Sequence, residues 1–271
     1  MIRCDAHMHT RFSEDSDASV HSMLDAAIER GMEAVCITDH LDKDFPKTPD
    51  FPAGAFLFDL GNYFQRLTQL KEEYQKKLEV GVEIGLQPHL GEYYRNLTEK
   101  YPFDFVIGSV HLIHGQDPYY RTFFEGRSDE EAYQEAFQVT IENLKKVNSF
   151  DSLGHLDYVV RYGMHQAEEY SYKKYAEEID EILKILIAQG KGLEMNMAGM
   201  KYGLGFPNPH PDVIRRYGEL GGEIVTIGAD AHRPEHVAFD FDKAGEILIS
   251  CGFSYYAEFK GRKPIFKRIV P

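Results

Sequence analysis

Cysteine is scarce: Cys4, Cys36 and Cys251 are the only three in 271 residues, odd in number and far apart. No C-x-x-C pairs them, so neither a disulfide framework nor a zinc ribbon can be built, and they read as small buried hydrophobes. Long apolar runs are missing too, and none approaches the roughly 18 residues of a membrane span. The start, "MIRCDAHMHT", lacks a basic stretch followed by an apolar one, so no secretory signal is visible and a cytoplasmic home is expected. Excess positive charge is absent, since the formal net charge is −14. The basic stretches "KGRKP" and "FKRI" are too short to displace counterions along a polymer, so neither nucleic acid nor a membrane is an expected partner. Repeats, low-complexity tracts and Gly/Ser linkers are also lacking, which leaves one domain over residues 1–271.

What is present is alternation. Seven β-branched runs, "IRCDAHMH", "EAVCITDH", "LEVGVEIG", "FDFVIGSVH", "DSLGHLD", "GLEMNMAG" and "GEIVTIGADAH", are separated by helical patterns, the signature of a parallel sheet wrapped by helices. "SLGHL" is the weakest of them. Over residues 171 to 190, Tyr175, Ile179, Ile182, Leu183, Leu186 and Ile187 keep the i, i+3, i+4 rhythm of a buried helix face. Residues 59 to 78 are amphipathic in the same way through Tyr63, Leu67, Leu70 and Tyr74. The main irregular loop, "DKDFPKTPDFPAGAF", follows the second run and is either a lid or surface decoration.

The chemical residues fall at the ends of these runs. His7 and His9 end the first, His40 the second, Glu83 the third, His111 the fourth, His155 the fifth, and Asp230 and His232 the seventh. Side chains two apart on a strand point the same way, which puts His7 and His9 roughly 6–7 Å apart at the backbone and aims two imidazoles at one point. All carboxyl ends of a parallel barrel open on one face, where enzyme sites are built. Six of the twelve histidines at such ends, with carboxylates among them, point to a metal cluster. Imidazole with carboxylate and no thiolate suits Zn²⁺, Mn²⁺ or Fe²⁺. The other histidines lie in helices or loops, and of these only His114 is near enough in sequence to contact substrate or act as an acid.

In this pattern, "DAHMHT", "ITDH", "GVEIG", "GSVH", "GHLD" and "ADAHRPE", in order over the whole chain, the sequence resembles the PHP (polymerase and histidinol phosphatase) family. The resemblance implies a distorted (β/α)7 barrel of parallel strands with the metal site at their carboxyl ends, holding up to three divalent cations. It assigns one cation to His7, His9, Glu83 and Asp230, a second to Glu83, His111 and His155, and a third to Asp15, His40 and His232. In "RFSEDSDAS" the match prefers Asp15 and leaves Asp17 as a helix cap or substrate contact. Three divalent ions against Glu83, Asp15 and Asp230 leave a positive floor that would draw a phosphate.

The implied reaction is phosphomonoester hydrolysis by a hydroxide shared between two cations, with Glu83 and Asp230 central to it. Candidates for protonating the leaving oxygen are Asp17, His114 and a metal-bound water. Arg161, in "GHLDYVVRYG", would fork phosphate oxygens as the family's arginine there is thought to do. Lys201 stands where related phosphatases carry an arginine, supplying a point charge without the planar fork. Arg233 is a further phosphate contact or a salt-bridge partner, and Asp42 is either a rim acid for a cationic substrate or an exposed loop acid. With no polymerase or nuclease appendage, the chain looks like the stand-alone histidinol-phosphate phosphatase of histidine biosynthesis. A phosphoesterase for a nucleotide or another small phosphate is the alternative. An amidohydrolase-type C–N hydrolase is disfavoured because no lysine stands where Glu83 would bridge, and a non-catalytic metal-binding protein is disfavoured by the full ligand set.

Overall fold

A computed structural model describes residues 1–74 and 77–270. Its elements, in chain order, are β1 (Cys4–Met8), α1 (Val20–Glu29), β2 (Ala34–Ile37), β3 (His40–Leu41), α2 (Leu60–Glu73), β4 (Leu78–Gly85), α3 (Gly91–Lys100), β5 (Phe105–Ser109), α4 (Asp129–Leu144), β6 (Ser152–Leu153), α5 (Ala176–Ala188), β7 (Gly192–Asn196), α6 (Ala198–Lys201), α7 (Pro211–Glu219), β8 (Val225–Gly228), α8 (Phe241–Ser250), β9 (Tyr255–Lys260) and β10 (Lys263–Arg268). Each of the seven β-branched runs contains a strand, and these pair in parallel in the order β1-β2-β4-β5-β6-β7-β8. The ring closes just past β8, where His9 N–H donates to the Ala231 carbonyl at 2.8 Å and Asp230 N–H to the His7 carbonyl at 2.9 Å. The result is the distorted barrel of parallel strands with helices between them.

The second run is split. Its last residue, His40, pairs separately with β4 as part of the short β3, and between β2 and β3 the Asp39 side chain accepts bonds from the Thr10 backbone (2.5 Å), the Thr10 hydroxyl (2.9 Å) and the Ser13 hydroxyl (2.9 Å). "SLGHL" keeps only a two-residue strand, β6. The helices follow the periodicity. In α5, Ile179, Ile182, Leu183 and Leu186 are buried, and Gly190 at φ +66° ends the segment. In α2, Tyr63, Leu67 and Leu70 are buried and Asp59 caps the first turn by accepting from Gly61 and Asn62 N–H. Residues 75 and 76 of that amphipathic stretch lie outside the described residues.

One element has no counterpart in the sequence reading. β9 and β10 form an antiparallel hairpin whose two-residue turn, Gly261–Arg262, has φ of 54° and 63°, the left-handed geometry that matches strand twist. It covers the amino ends of the strands: Phe259 stacks on Phe105 at 4.8 Å, and Arg262 N–H donates to the Asp104 carbonyl at 2.9 Å. The carboxyl ends stay open. The irregular loop folds over that face around its own small core of Phe45, Phe56 and Leu112, with the Phe56 ring edge-on to His40 at 5.4 Å.

Candidate metal centre

The strand ends bring the candidate ligands together around Glu83, whose carboxylate is fully buried at the end of β4. Its two oxygens face different groups. Oε2 lies 3.3 Å from His7 Nε2, 3.6 Å from His9 Nε2 and 2.7 Å from His40 Nδ1. Oε1 lies 3.0 Å from His155 Nε2 and 3.3 Å from His111 Nε2, and accepts the Ser109 hydroxyl at 2.5 Å. Asp230, at a left-handed φ of 52° that Asp tolerates, sets Oδ1 3.3 Å from His9 Nε2 and 3.8 Å from His7 Nε2. Asp15 joins the outer side, with Oδ2 3.1 Å from His232 Nε2 and 3.5 Å from His40 Nε2. His40 therefore sits between two groups, one ring nitrogen toward Glu83 and the other toward Asp15. Ligand atoms of His9, His40 and His232, and of His40, Glu83 and His111, each lie within 4.8 Å of one another.

The imidazoles are held from behind. His7 Nδ1 meets Glu194 Oε1 at 2.6 Å, His9 Nδ1 meets the Ser13 hydroxyl at 3.3 Å, and His111 Nδ1 meets Asp42 Oδ1 at 2.9 Å. Each contact occupies one ring nitrogen and leaves the other facing the centre, the arrangement by which outer partners fix ligand orientation. Close packing makes room for it. A Cβ at Gly228 would collide with the Cβ of His7 and lie 2.7 Å from Glu194 Oε1, and a Cβ at Gly85 would run into the Asp42 carboxylate.

Electrostatics follow from this crowding. Burial raises the Glu83 carboxyl, but His7, His40 and His111 outweigh it and hold it well below the usual carboxylate range. Burial pulls His7 down, yet Glu194, Glu83 and Asp230 lift it well above an ordinary histidine. His9 goes the other way, pushed low by burial and by its neighbours His40 and His232. Four buried atoms facing the same region, Nε2 of His7 and of His9, Nδ1 of His40 and Oε2 of Glu83, have no hydrogen-bond partner among the described residues. Leaving a buried polar atom unpaired costs about 1–3 kcal/mol. Four lone-pair donors converging in this way fit divalent cations of the Zn²⁺, Mn²⁺ or Fe²⁺ type.

The cluster opens into a cavity of about 610 Å³ lined on one side by Asp15, His40, His111, His155, Asp230 and His232. Arg161, Lys201 and Arg233 also line it. Arg161 is only 4% exposed, and its guanidinium donates to Asn208 Oδ1 (2.8 Å), Asn196 Oδ1 (3.0 Å) and Asp230 Oδ2 (3.2 Å). Lys201 Nζ donates to the Asp230 carbonyl at 3.3 Å, and Arg233 is exposed at the mouth.

Three expected contacts change. Asp17 is exposed and outside the cavity lining, and Ser19, not Asp17, caps α1. His114 turns away at φ 49°, 63% exposed at the side chain, paired with Glu135 at 3.5 Å and outside the cavity lining. Asp42 is not an exposed loop acid: it is buried at the cavity lining, and one of its oxygens is committed to His111. Glu194, Asp117 and His236 were not foreseen. Glu194 carried the one available signal, a carboxylate inside the apolar strand "GLEMN". Asp117 lies in a loop and His236 ends the short 3-10 turn Pro234–His236, neither marked by periodicity, yet both line the cavity.

A PHP domain family model matches residues 5–198. The chain is 31% identical over 268 residues to the Clostridium acetobutylicum protein named "Probable histidinol-phosphatase", covering 98% of each. It is 31% identical over 271 residues to the "Histidinol-phosphatase" of Lactococcus lactis, covering 97% of this chain and 96% of that one. Among solved structures, histidinol phosphate phosphatase from Lactococcus lactis, complexed with zinc, L-histidinol and phosphate, superimposes with a TM-score of 0.87 at 30% identity, over 97% of this chain and 98% of that one.

Proposed function

The chain belongs to the PHP domain family, and from that premise we propose that it is a metal-dependent phosphomonoester hydrolase converting L-histidinol phosphate and water to histidinol and phosphate. The observation that carries this reading is Glu83, one carboxylate whose two oxygens face five imidazoles beneath a cavity that also presents Arg161 and Lys201. Relatives of the same length carry the histidinol-phosphatase name, and the Lactococcus protein holds zinc, L-histidinol and phosphate together.

His7, His9, Glu83 and Asp230 would hold one divalent cation, Glu83, His111 and His155 a second, and Asp15, His40 and His232 a third. Such cations supply Lewis acidity toward phosphoryl oxygens and let water ionise near neutral pH. The chain's own groups do the rest. Arg161 stays charged, since burial disfavours the cation but Asp230 together with Tyr162, Tyr202 and Tyr158 outweighs it, and its N–H groups on the cavity side orient the phosphate. Lys201 and Arg233 add positive charge. Phe45 and Phe56 form an apolar wall that keeps bulk water from the His40 side. No described helix is long and apolar enough to cross a membrane, and the reading places the enzyme in the cytoplasm, in histidine biosynthesis, as one catalytic domain.

The test is a comparison of kcat/KM for L-histidinol phosphate, a nucleoside monophosphate and 4-nitrophenyl phosphate with Mn²⁺- or Zn²⁺-loaded protein. A value of about 10⁴ M⁻¹s⁻¹ or more for the histidinol ester, well above the others, is expected. A higher value for the nucleotide would transfer the same site to the alternative substrate class.

A further inference from the structure

The cavity wall away from the cluster is acidic and aromatic. Asp117 lies on the segment after β5 and lines the cavity with Tyr119, Tyr120, Tyr158 and Tyr162. Tyr119 N–H donates to its Oδ1 at 2.9 Å. Among the described residues no Lys or Arg lies within ion-pair distance of this carboxylate. Arg161 and Lys201 are both anchored on Asp230, just past β8, and the Arg161 guanidinium also lies over the Tyr158 ring at 5.3 Å, so one ring of this wall already faces a cation. Asp50 adds a second acid to the wall, its Oδ2 accepting the Tyr120 hydroxyl at 3.0 Å.

A partly buried carboxylate without a Lys or Arg partner is unfavourable on its own: burial pushes the Asp117 carboxyl up to about 6, although the Tyr119 N–H, His111 and His40 pull the other way. It becomes favourable when a cation arrives. Tyrosine faces attract the same kind of group, because their rings carry negative charge above the plane. An acid among tyrosines is therefore a receptor for an organic cation, in the cavity that also presents Arg161, Lys201 and the ligand cluster.

We propose that Asp117 is the specificity-determining residue that receives the positively charged portion of the substrate's alcohol, an ammonium or protonated imidazole, while the phosphate is held at the cluster. This rests on the phosphatase reading given above. It also accounts for the role that the sequence offered to Asp42: Asp42 is committed to His111 and Asp50 accepts the Tyr120 hydroxyl, whereas Asp117 receives only the Tyr119 backbone N–H.

The experiment uses metal-loaded full-length protein and compares Asp117→Asn and Asp117→Glu with the parent on L-histidinol phosphate, which carries a cation, and 4-nitrophenyl phosphate, which does not. For Asp117→Asn, kcat/KM on the histidinol ester should fall about 10- to 100-fold, mostly through KM, as expected for loss of a charge-assisted contact. Activity on the aryl ester should stay within about twofold and metal content should not change, and Asp117→Glu should recover part of the loss. The binding of L-histidinol alone should weaken in parallel. Equal losses on both esters, or no loss on either, would overturn the proposal. A parent enzyme that prefers the histidinol ester while Asp117→Asn keeps that preference sinks the proposal alone. A parent with no preference for the cationic ester sinks the substrate reading and the proposal with it.

Discussion

Glu194 is the residue by which the ligand cluster can be tested without touching a ligand. Its Oε1 faces His7 Nδ1 at 2.6 Å, and its Oε2 accepts His155 N–H at 2.9 Å and Asn196 Nδ2 at 3.1 Å. All three are donors, and a carboxylate can receive them all. In Glu194→Gln, one oxygen becomes an amide donor of the same shape, and neither orientation of the amide works. If the NH₂ faces His7, the ring must offer a lone pair at Nδ1 and carry its proton on Nε2, the atom 3.3 Å from Glu83 Oε2 that is meant to ligate. If the NH₂ faces the other way, His155 N–H and the Asn196 amide are left donor against donor, at about 1–3 kcal/mol each. Loss of such a supporting partner typically costs 10- to 100-fold in metal affinity, or about 1.4–2.8 kcal/mol. Competition against a chelator of known affinity reads this directly. A Glu194→Gln protein that binds Zn²⁺ or Mn²⁺ within about twofold of the parent would refute the reasoning.

Other outcomes follow from the same geometry. Glu83→Ala removes the carboxylate common to both inner groups, so bound metal should be lost along with at least about 10³-fold in turnover, and undiminished turnover would exclude the shared-carboxylate centre. Arg161→Lys keeps the charge but not the planar fork, so kcat/KM should fall about 10²-fold with metal retained. If metal leaves as well, holding Asp230 is that arginine's main work. Gly228→Ala should perturb metal binding through His7 and Glu194, with a lowered melting temperature, because its Cβ has no space. Chelation should lower the melting temperature by roughly 5–10 °C, since a ligand at 100 times its Kd contributes about 2.7 kcal/mol and 1 kcal/mol is about 2–4 °C at this size. Differential scanning fluorimetry with and without added metal checks both.

The barrel was legible because its interior strands are near-continuous apolar runs and its helices keep their period, signals that do not depend on distant contacts. The candidate ligands were legible because they recur at one position, the carboxyl end of a run. What failed to show depends on long-range meetings. Asp42 looked like a loop acid because its partner His111 lies 69 residues away. His114 looked close to the site because it follows His111, but a positive φ turns it outward. Asp117 sits in a loop and His236 in a single 3-10 turn, where no periodicity marks a direction. The terminal hairpin went unseen because Arg262, at φ 63°, is not a residue type that announces such a turn.

The central claim is that the carboxyl-end cluster performs metal-dependent phosphomonoester hydrolysis. Its most direct test is phosphate release from L-histidinol phosphate by chelator-stripped protein titrated with Mn²⁺ or Zn²⁺. The account predicts negligible release from the stripped protein, and a rate that rises with added metal and levels off by about three ions per chain. Release at the full rate without metal, or none at any metal ratio, would contradict it.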